Sequence, residues 1–523
     1  MKKSITWGIY VSLLYTIFGC SKDLGTYEYH DINEITISSL NSSYDMLFKT
    51  DTLRINPQLE FTMDNGDADR YTYEWKLVSN ADFNTITKKG TIISNSKDLV
   101  YPVNALPGSY TLYLKVKDKE TEVTWVGKTF LSITIESATG FMLIGEDDEG
   151  YVEVEMIAMG ASDTTILKGL ARDNGVPKMK GARDIIHTGV YPPRPTHARQ
   201  WIIGQETAYY VDPVTFQTQP QNIFKNLLFA TYELPTAIFP VEIAPRINRI
   251  AGNAVSSLNR VVITNTGDVF YADLGSSGGD YYGNPTNRLA GINTPTFECF
   301  PFIFNAPGLW SQYTVFDKEN GRFVYASATA LNVNLLSDRI TDPFPWNQAE
   351  VNRTLKYGEN TRNTDGGSSQ GNSFALMENK DNKGLFIYKF YAYTIPQKRN
   401  FYTISSTHSA EINKSPYFAF ASTRTALYFV QGSRLYAYDY AIGSEKIVLV
   451  KDFGDEITMI HSDIQTGSYV DLYVATYNQT TKGTLHKMVL QNNTNTIEMK
   501  EDESLKWTGL SKVKNMSWKN APN

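Results

Sequence analysis

The sequence predicts an all-β protein: an N-terminal β-sandwich over residues 28–137, then a seven-bladed β-propeller over 138–523, closed by its C-terminal strand. Three observations lead there. Tyr and Phe number 33 and 26 among 523 residues and Gly-rich turns are frequent, a composition that favours strands over helices. Residues 28–137 carry several runs of period-two alternation separated by turn clusters. From Phe141 onward a two-strand unit recurs seven times.

The amino terminus is of a different kind. Lys2 and Lys3 open the chain, and Ile5 to Phe18 is uncharged throughout. At ~1.5 Å per residue that run is too short to cross a bilayer core, but it suits a secretory signal peptide. Ile17, Phe18, Gly19 and Cys20 read as a lipobox: apolar residues, a small residue, then cysteine. Residues 1–19 are therefore expected to be removed, with Cys20 carrying lipid at the head of a short tether over 20–27. Several acyl chains, at about 0.8 kcal/mol per buried CH₂, hold a protein stably on a membrane. Cys299 is then the only thiol left, so no disulfide framework exists and stability must come from burial. A formal charge of −6 with no basic stripe argues against nucleic acid as a partner.

In the sandwich segment, "DTLRINPQLEF", "YTYEWKLVS", "GSYTLYLKVKD" and "VTWVGKTFLSITIES" alternate with period two, and "MDNGDAD" and "NALPG" separate them. Tyr73 and Trp75 share a face, with Trp75 the natural core plug, while Tyr110, Leu112, Leu114 and Val116 alternate inward. The pattern YxWxL followed by YxLxLxVxD resembles the PKD (polycystic-kidney-disease-type) branch of immunoglobulin-like domains.

The seven repeat units begin at Phe141, Trp201, Arg260, Tyr313, Phe374, Thr425 and Asp471, 46 to 61 residues apart. A four-stranded blade takes roughly 40–50 residues plus loop insertions. Each hairpin is expected to form the two middle strands of a blade. The inner strand precedes it, as "YFAFAST" and "EITMIHSD" do, and the outer strand follows, as "KIVLVKDF" does. The first hairpin follows the sandwich directly and lacks an inner strand, whereas "KVKNMSWKN" is left over at the end. The count closes if "NMSWK" pairs with "FMLIGED". Six or eight blades remain open, because 160–200 and 331–373 are irregular.

With both halves in view, the chain resembles the PKD-like family of bacterial outer-membrane lipoproteins. The resemblance rests on "CSKDLGTYEYHDINEITI", the Trp75 sandwich and the long repeat region. It implies a cell-surface accessory to nutrient uptake, partnered with a TonB-dependent outer-membrane transporter and its SusD-like lipoprotein, with peptides or glycans as cargo. "SKD" supplies a single acid, Asp23, after the cysteine, so a periplasm-facing placement stays open.

The search for chemistry returns no HExxH, CxxC, GxSxG or P-loop. His187 and His197 share a stretch with Asp184, but their spacing matches no metal-ligand pattern. Asp64, Asp67 and Asp69 could hold calcium, although an Asx-rich turn is the commoner use of such residues. No cofactor and no catalytic residue is assigned. A binding or docking protein is expected; the alternative is a surface-anchored glycosidase or peptidase, since propellers also host enzymes. The expected binding rim combines Tyr281 and Tyr282 in "GSSGGDYYGNPTN" with Trp310 in "NAPGLWSQ", joined by "ENTRNTDGGSSQGN" (359–372), because exposed aromatics on loops suit sugars or peptide side chains.

Overall fold

In the computed structural model the described residues are 32–520 apart from 68, 81–89, 160–163, 189–198, 247–258, 274–280, 291–293, 307–311, 328, 467–469 and 492–495. Cys20, His197 and Trp310 lie outside them. The chain divides into two compact units between Thr134 and Ile135.

The first unit is built from the alternating runs. Its main sheet orders Ser43–Leu47, Thr124–Thr134, Gly108–Asp118, Tyr71–Ser79 and Thr91–Ser94. Two smaller antiparallel sheets pair Ile35–Ser38 with Gln58–Phe61 and Thr52–Ile55 with Leu99–Pro102. Successive strand residues face opposite ways, so Leu112, Leu114 and Val116 are buried while Tyr113 and Lys115 between them are half-buried on the other face. Trp75 is fully buried, and its indole N–H donates to the carbonyls of Ser96 and Lys97, both at 3.1 Å. The aspartate that ends the YxLxLxVxD pattern, Asp118, is also fully buried. It accepts Arg70 Nη2 at 2.7 Å and the Glu120 N–H at 2.9 Å. Burial leaves that carboxylate dependent on Arg70, which holds its pKa far below the usual range.

The second unit is propeller-like: among its described residues, antiparallel sheets of three or four strands follow one another in chain order. All seven sequence repeats form hairpins, from Gly140–Glu146 with Val152–Met159 to Asp471–Asn478 with Lys482–Leu490. A leading strand precedes five of them, Asp184–His187, Pro240–Ala244, Arg353–Asn360, Phe418–Phe420 and Glu456–Ser462, and an isolated bridge at Phe304 stands in that place before the fourth. The first hairpin takes its fourth strand from the end of the chain. Lys512–Lys519 pairs antiparallel with Gly140–Glu146, setting Trp518 opposite Phe141 and Met516 opposite Leu143.

The core is divided among the gaps between sheets. Alternate residues of one strand feed different layers: Ala375 and Met377 pack toward the fourth sheet, Phe374 and Leu376 toward the sixth. Strands buried on both faces need no polar alternation, which is why "FALM", "LYFV" and "LYVA" read as continuous apolar runs. One layer joins the seventh sheet to the first: Tyr473 and Leu485 pack with Phe141, Leu143, Met516 and Trp518. Polar links repeat the succession. Asp184 meets Arg246, the Cys299 N–H reaches the Gly267 carbonyl (3.0 Å), and Asn360 meets Asn305 (3.0 Å). Ser462 then meets the Phe420 carbonyl (3.1 Å), and Thr458 reaches across to the Val513 carbonyl (2.6 Å).

Candidate functional site

The leading strands converge on a cavity of about 480 Å³, lined from six of the seven sheets. Glu242 and Arg246 come from the third, Phe302 and Asn305 from the fourth, and Tyr357, Glu359 and Arg362 from the fifth. The sixth supplies Tyr417 and Phe418, the seventh His461 and Gln465, and the C-terminal strand Lys514. Its volume falls in the range of small-ligand sites, and its lining mixes aromatic walls with a few polar groups, as such sites do.

Two carboxyl centres lie in it. At the first, Arg246 Nη2 pairs with Asp184 Oδ2, and Nη1 reaches Asp184 Oδ1 at 3.3 Å. The same guanidinium is 3.4 Å from Glu242 Oε1. One cation thus serves a buried acid and a half-buried one. Burial raises Glu242 to about 7 against the pull of Arg246, and the like charge of Asp184 adds to the rise. Arg246 stays charged: burial opposes its charge, but Asp184 and Glu242 outweigh it.

The second centre is Glu359. Its Oε2 accepts both the Phe420 N–H and the Tyr357 hydroxyl, the latter at 3.1 Å. Burial pushes this carboxyl up to about 8, and those donors offset only part of the cost. His461 is held down to about 4 by burial and then by the charge of Arg246, so it is neutral at physiological pH. Perturbed titratable groups gathered in a concave site mark a functional candidate.

Of the expected rim, Tyr281 and Tyr282 do not face the same way. Tyr282 is fully buried, with its ring against Phe224 at 5.9 Å in the layer between the second and third sheets. Tyr281 is 47% exposed and meets Phe229 edge-on at 5.6 Å. Neighbours in extended backbone point opposite ways, so this pair could not both face solvent. Segment 359–372 is only partly open: residues 364–367 are exposed, while Thr361, Asn363 and Asn372 are buried and hydrogen-bonded. Asp64 is engaged by the Tyr71 hydroxyl, Asn33 at 2.9 Å and the Gly66 N–H at 2.7 Å. Among the described residues no three His, Cys, Asp or Glu side chains gather to hold a metal. His187 is buried, with Nε2 3.2 Å from the Asn520 carbonyl.

Glu242 and Arg246 were not expected as site residues, Asp184 was weighed only beside His187 and His197 as a metal ligand, and Glu359 entered only as the first residue of the rim segment 359–372. The usable signal was position: charged residues in or just after the strand preceding a repeat, as in "PVEIAPR" and "KYGENTR".

A sandwich-bearing, propeller-like all-β protein with a central polar-aromatic cavity is the class these features define. Residues 20–182 match the PKD-like family, a span that covers the sandwich and runs into the first sheet of the second unit. No curated protein matches the chain. Among solved structures it is similar to a quinonprotein alcohol dehydrogenase-like protein from Bacteroides thetaiotaomicron VPI-5482, at 14% identity and TM-score 0.36, over 93% of this chain and 99% of that one. It is also similar to YCF48 from Cyanidioschyzon merolae, at 10% identity and TM-score 0.31, over 64% of this chain and 92% of that one. A third likeness is to PorZ, a surface component of the type-IX secretion system of Porphyromonas gingivalis. There the identity is 11% and the TM-score 0.31, over 73% of this chain and 43% of that one.

Proposed function

We infer that the protein is a ligand-binding lipoprotein of the outer membrane, anchored through Cys20, and that its second unit is a seven-bladed β-propeller closed by Lys512–Lys519. The cavity carries this reading: it collects aromatic and charged groups from six sheets in a volume suited to a small molecule. The polar links and apolar layers described above, which run sheet to sheet and join the seventh to the first, support the closed ring. The cargo is a peptide or glycan, and the partners are a TonB-dependent transporter and its SusD-like lipoprotein. This part of the reading rests on the lipobox and the resemblance stated above.

Native mass spectrometry of the purified protein against peptide and glycan libraries tests the binding role, and an empty screen with both libraries refutes it. Mild-detergent pull-downs from cells grown on the bound cargo test the partners; recovery of no transporter component refutes the accessory role. Cys20→Ala is expected to move the protein out of the membrane fraction, and unchanged labelling by a fatty-acid analogue in that variant refutes the anchor.

One observation favours a second reading, a surface hydrolase: two carboxyls with raised pKa, Glu242 and Glu359, line the same cavity. Product formation that is lost in Glu242→Gln or Glu359→Gln distinguishes it from binding alone.

A further inference from the structure

Resting on the cavity as the binding site, we propose that its ligand is a short peptide whose free amino terminus is received by Glu359, with Tyr357, Tyr417 and Phe418 forming the wall beside the ammonium group.

Glu359 lines the cavity, yet among the described residues no cation lies within ion-pair distance of it. The cavity's own cations are engaged elsewhere. Arg246 is held by Asp184 and Glu242. Lys514 sits 3.5 Å from Glu146, and Arg362 Nε donates to the Ile464 carbonyl at 3.2 Å. A half-buried carboxyl in a cavity without a counter-charge is costly to ionise, and a cationic ligand group offsets that cost.

Geometry narrows the cation to a hydrogen-bonding one. The Phe420 N–H and the Tyr357 hydroxyl both donate to Oε2, and neither reaches Oε1. Ser462 is a third donor beside the carboxyl, its hydroxyl shared with the Phe420 carbonyl at 3.1 Å. Three donors leave part of a carboxylate's roughly four lone-pair sites open, so the group keeps acceptor capacity for the N–H of a primary ammonium. The aromatic wall adds to the preference. The rings of Tyr357 and Phe418 lie 5.6 Å apart, and ring faces attract ammonium groups by ~0.5–2 kcal/mol once water is excluded. A neutral glycan stacks on the same rings but leaves Glu359 without a partner, so a peptide fits better than a sugar.

The test uses the full protein and three probe pools: X-Gly-Gly tripeptides with free amino termini, the same pool N-acetylated, and neutral trisaccharides. The free tripeptides are expected to bind at least tenfold more tightly than the acetylated ones. Glu359→Gln keeps an oxygen for the two donors and is expected to abolish that discrimination; its melting curve checks the fold. In the unmodified protein, equal binding of free and acetylated pools overturns the proposal. Binding of trisaccharides alone also overturns it, while leaving the cavity as a binding site. If no pool binds, the cavity reading falls with it.

Discussion

Trp518→Ala offers a direct measure of how far the second unit depends on the strand at its end. Trp518 is 1% exposed, and its ring meets Phe141 edge-on at 5.0 Å. It sits in the layer that also holds Tyr473 and Leu485 of the seventh sheet. Truncating a buried tryptophan costs about 3–5 kcal/mol, and an edge-on aromatic pair accounts for ~1 kcal/mol of that beyond area alone. Taking about 4 kcal/mol, detachment of Lys512–Lys519 from Gly140–Glu146 becomes roughly three decades more frequent. Hydrogen exchange read by mass spectrometry reports this locally, because amides exchange through the cheapest opening that frees them. The variant is expected to lose about a thousandfold of protection in peptides covering 140–146 and 512–519. Peptides of the fourth and fifth sheets should change far less. A loss under tenfold, or an equal loss across all sheets, would show that this strand is not a separate stabilising closure.

Three further outcomes follow from single residues. Asp118→Asn is expected to cost the first unit about 2–3 kcal/mol at pH 7, below the range for fully buried pairs because Arg70 reaches water. The pKa of Asp118 is depressed in the folded state, so its contribution is present above the unfolded value near 3.8 and fades as pH falls below it; urea midpoints at pH 7 and pH 3 check this. Glu359 has the opposite sign, because its folded pKa, about 8, lies above its ordinary 4.5. Its contribution is full below pH 4.5 and is lost as pH rises toward 8. Glu359→Gln should therefore match the parent near pH 5 and exceed it at pH 9, by on the order of 4 kcal/mol, in thermal melts. Tyr282→Ala should cost about 3–4 kcal/mol in urea unfolding and Tyr281→Ala under about 1, since one ring is core and the other is surface.

What the sequence by itself determined was the local order of strands. The hairpins were legible because strands buried on both faces leave unbroken apolar runs, and Gly- and Asn-rich turns bound them. The pairing of "NMSWK" with "FMLIGED" was legible by counting, since the first hairpin lacked a leading strand and the chain end had one to spare. Trp75 was legible as a plug because period-two alternation assigns each residue a face.

The tertiary structure alone decided the rest. Asp184, Glu242, Arg246, Glu359 and His461 span almost 280 positions, and no local pattern ties them together. They meet because successive sheets turn their leading strands toward one cavity. Tyr281 and Tyr282 look alike in sequence, and only the packing of Phe224 and Phe229 sorts core from surface. Even a motif residue such as Asp118 showed its position in sequence but not its role, which depends on Arg70 arriving from 48 residues away. Strand formation responds to neighbours along the chain, whereas a carboxyl's charge state responds to whatever packs around it in space. For that reason the ladder of strands could be read in advance and the chemistry of the cavity could not.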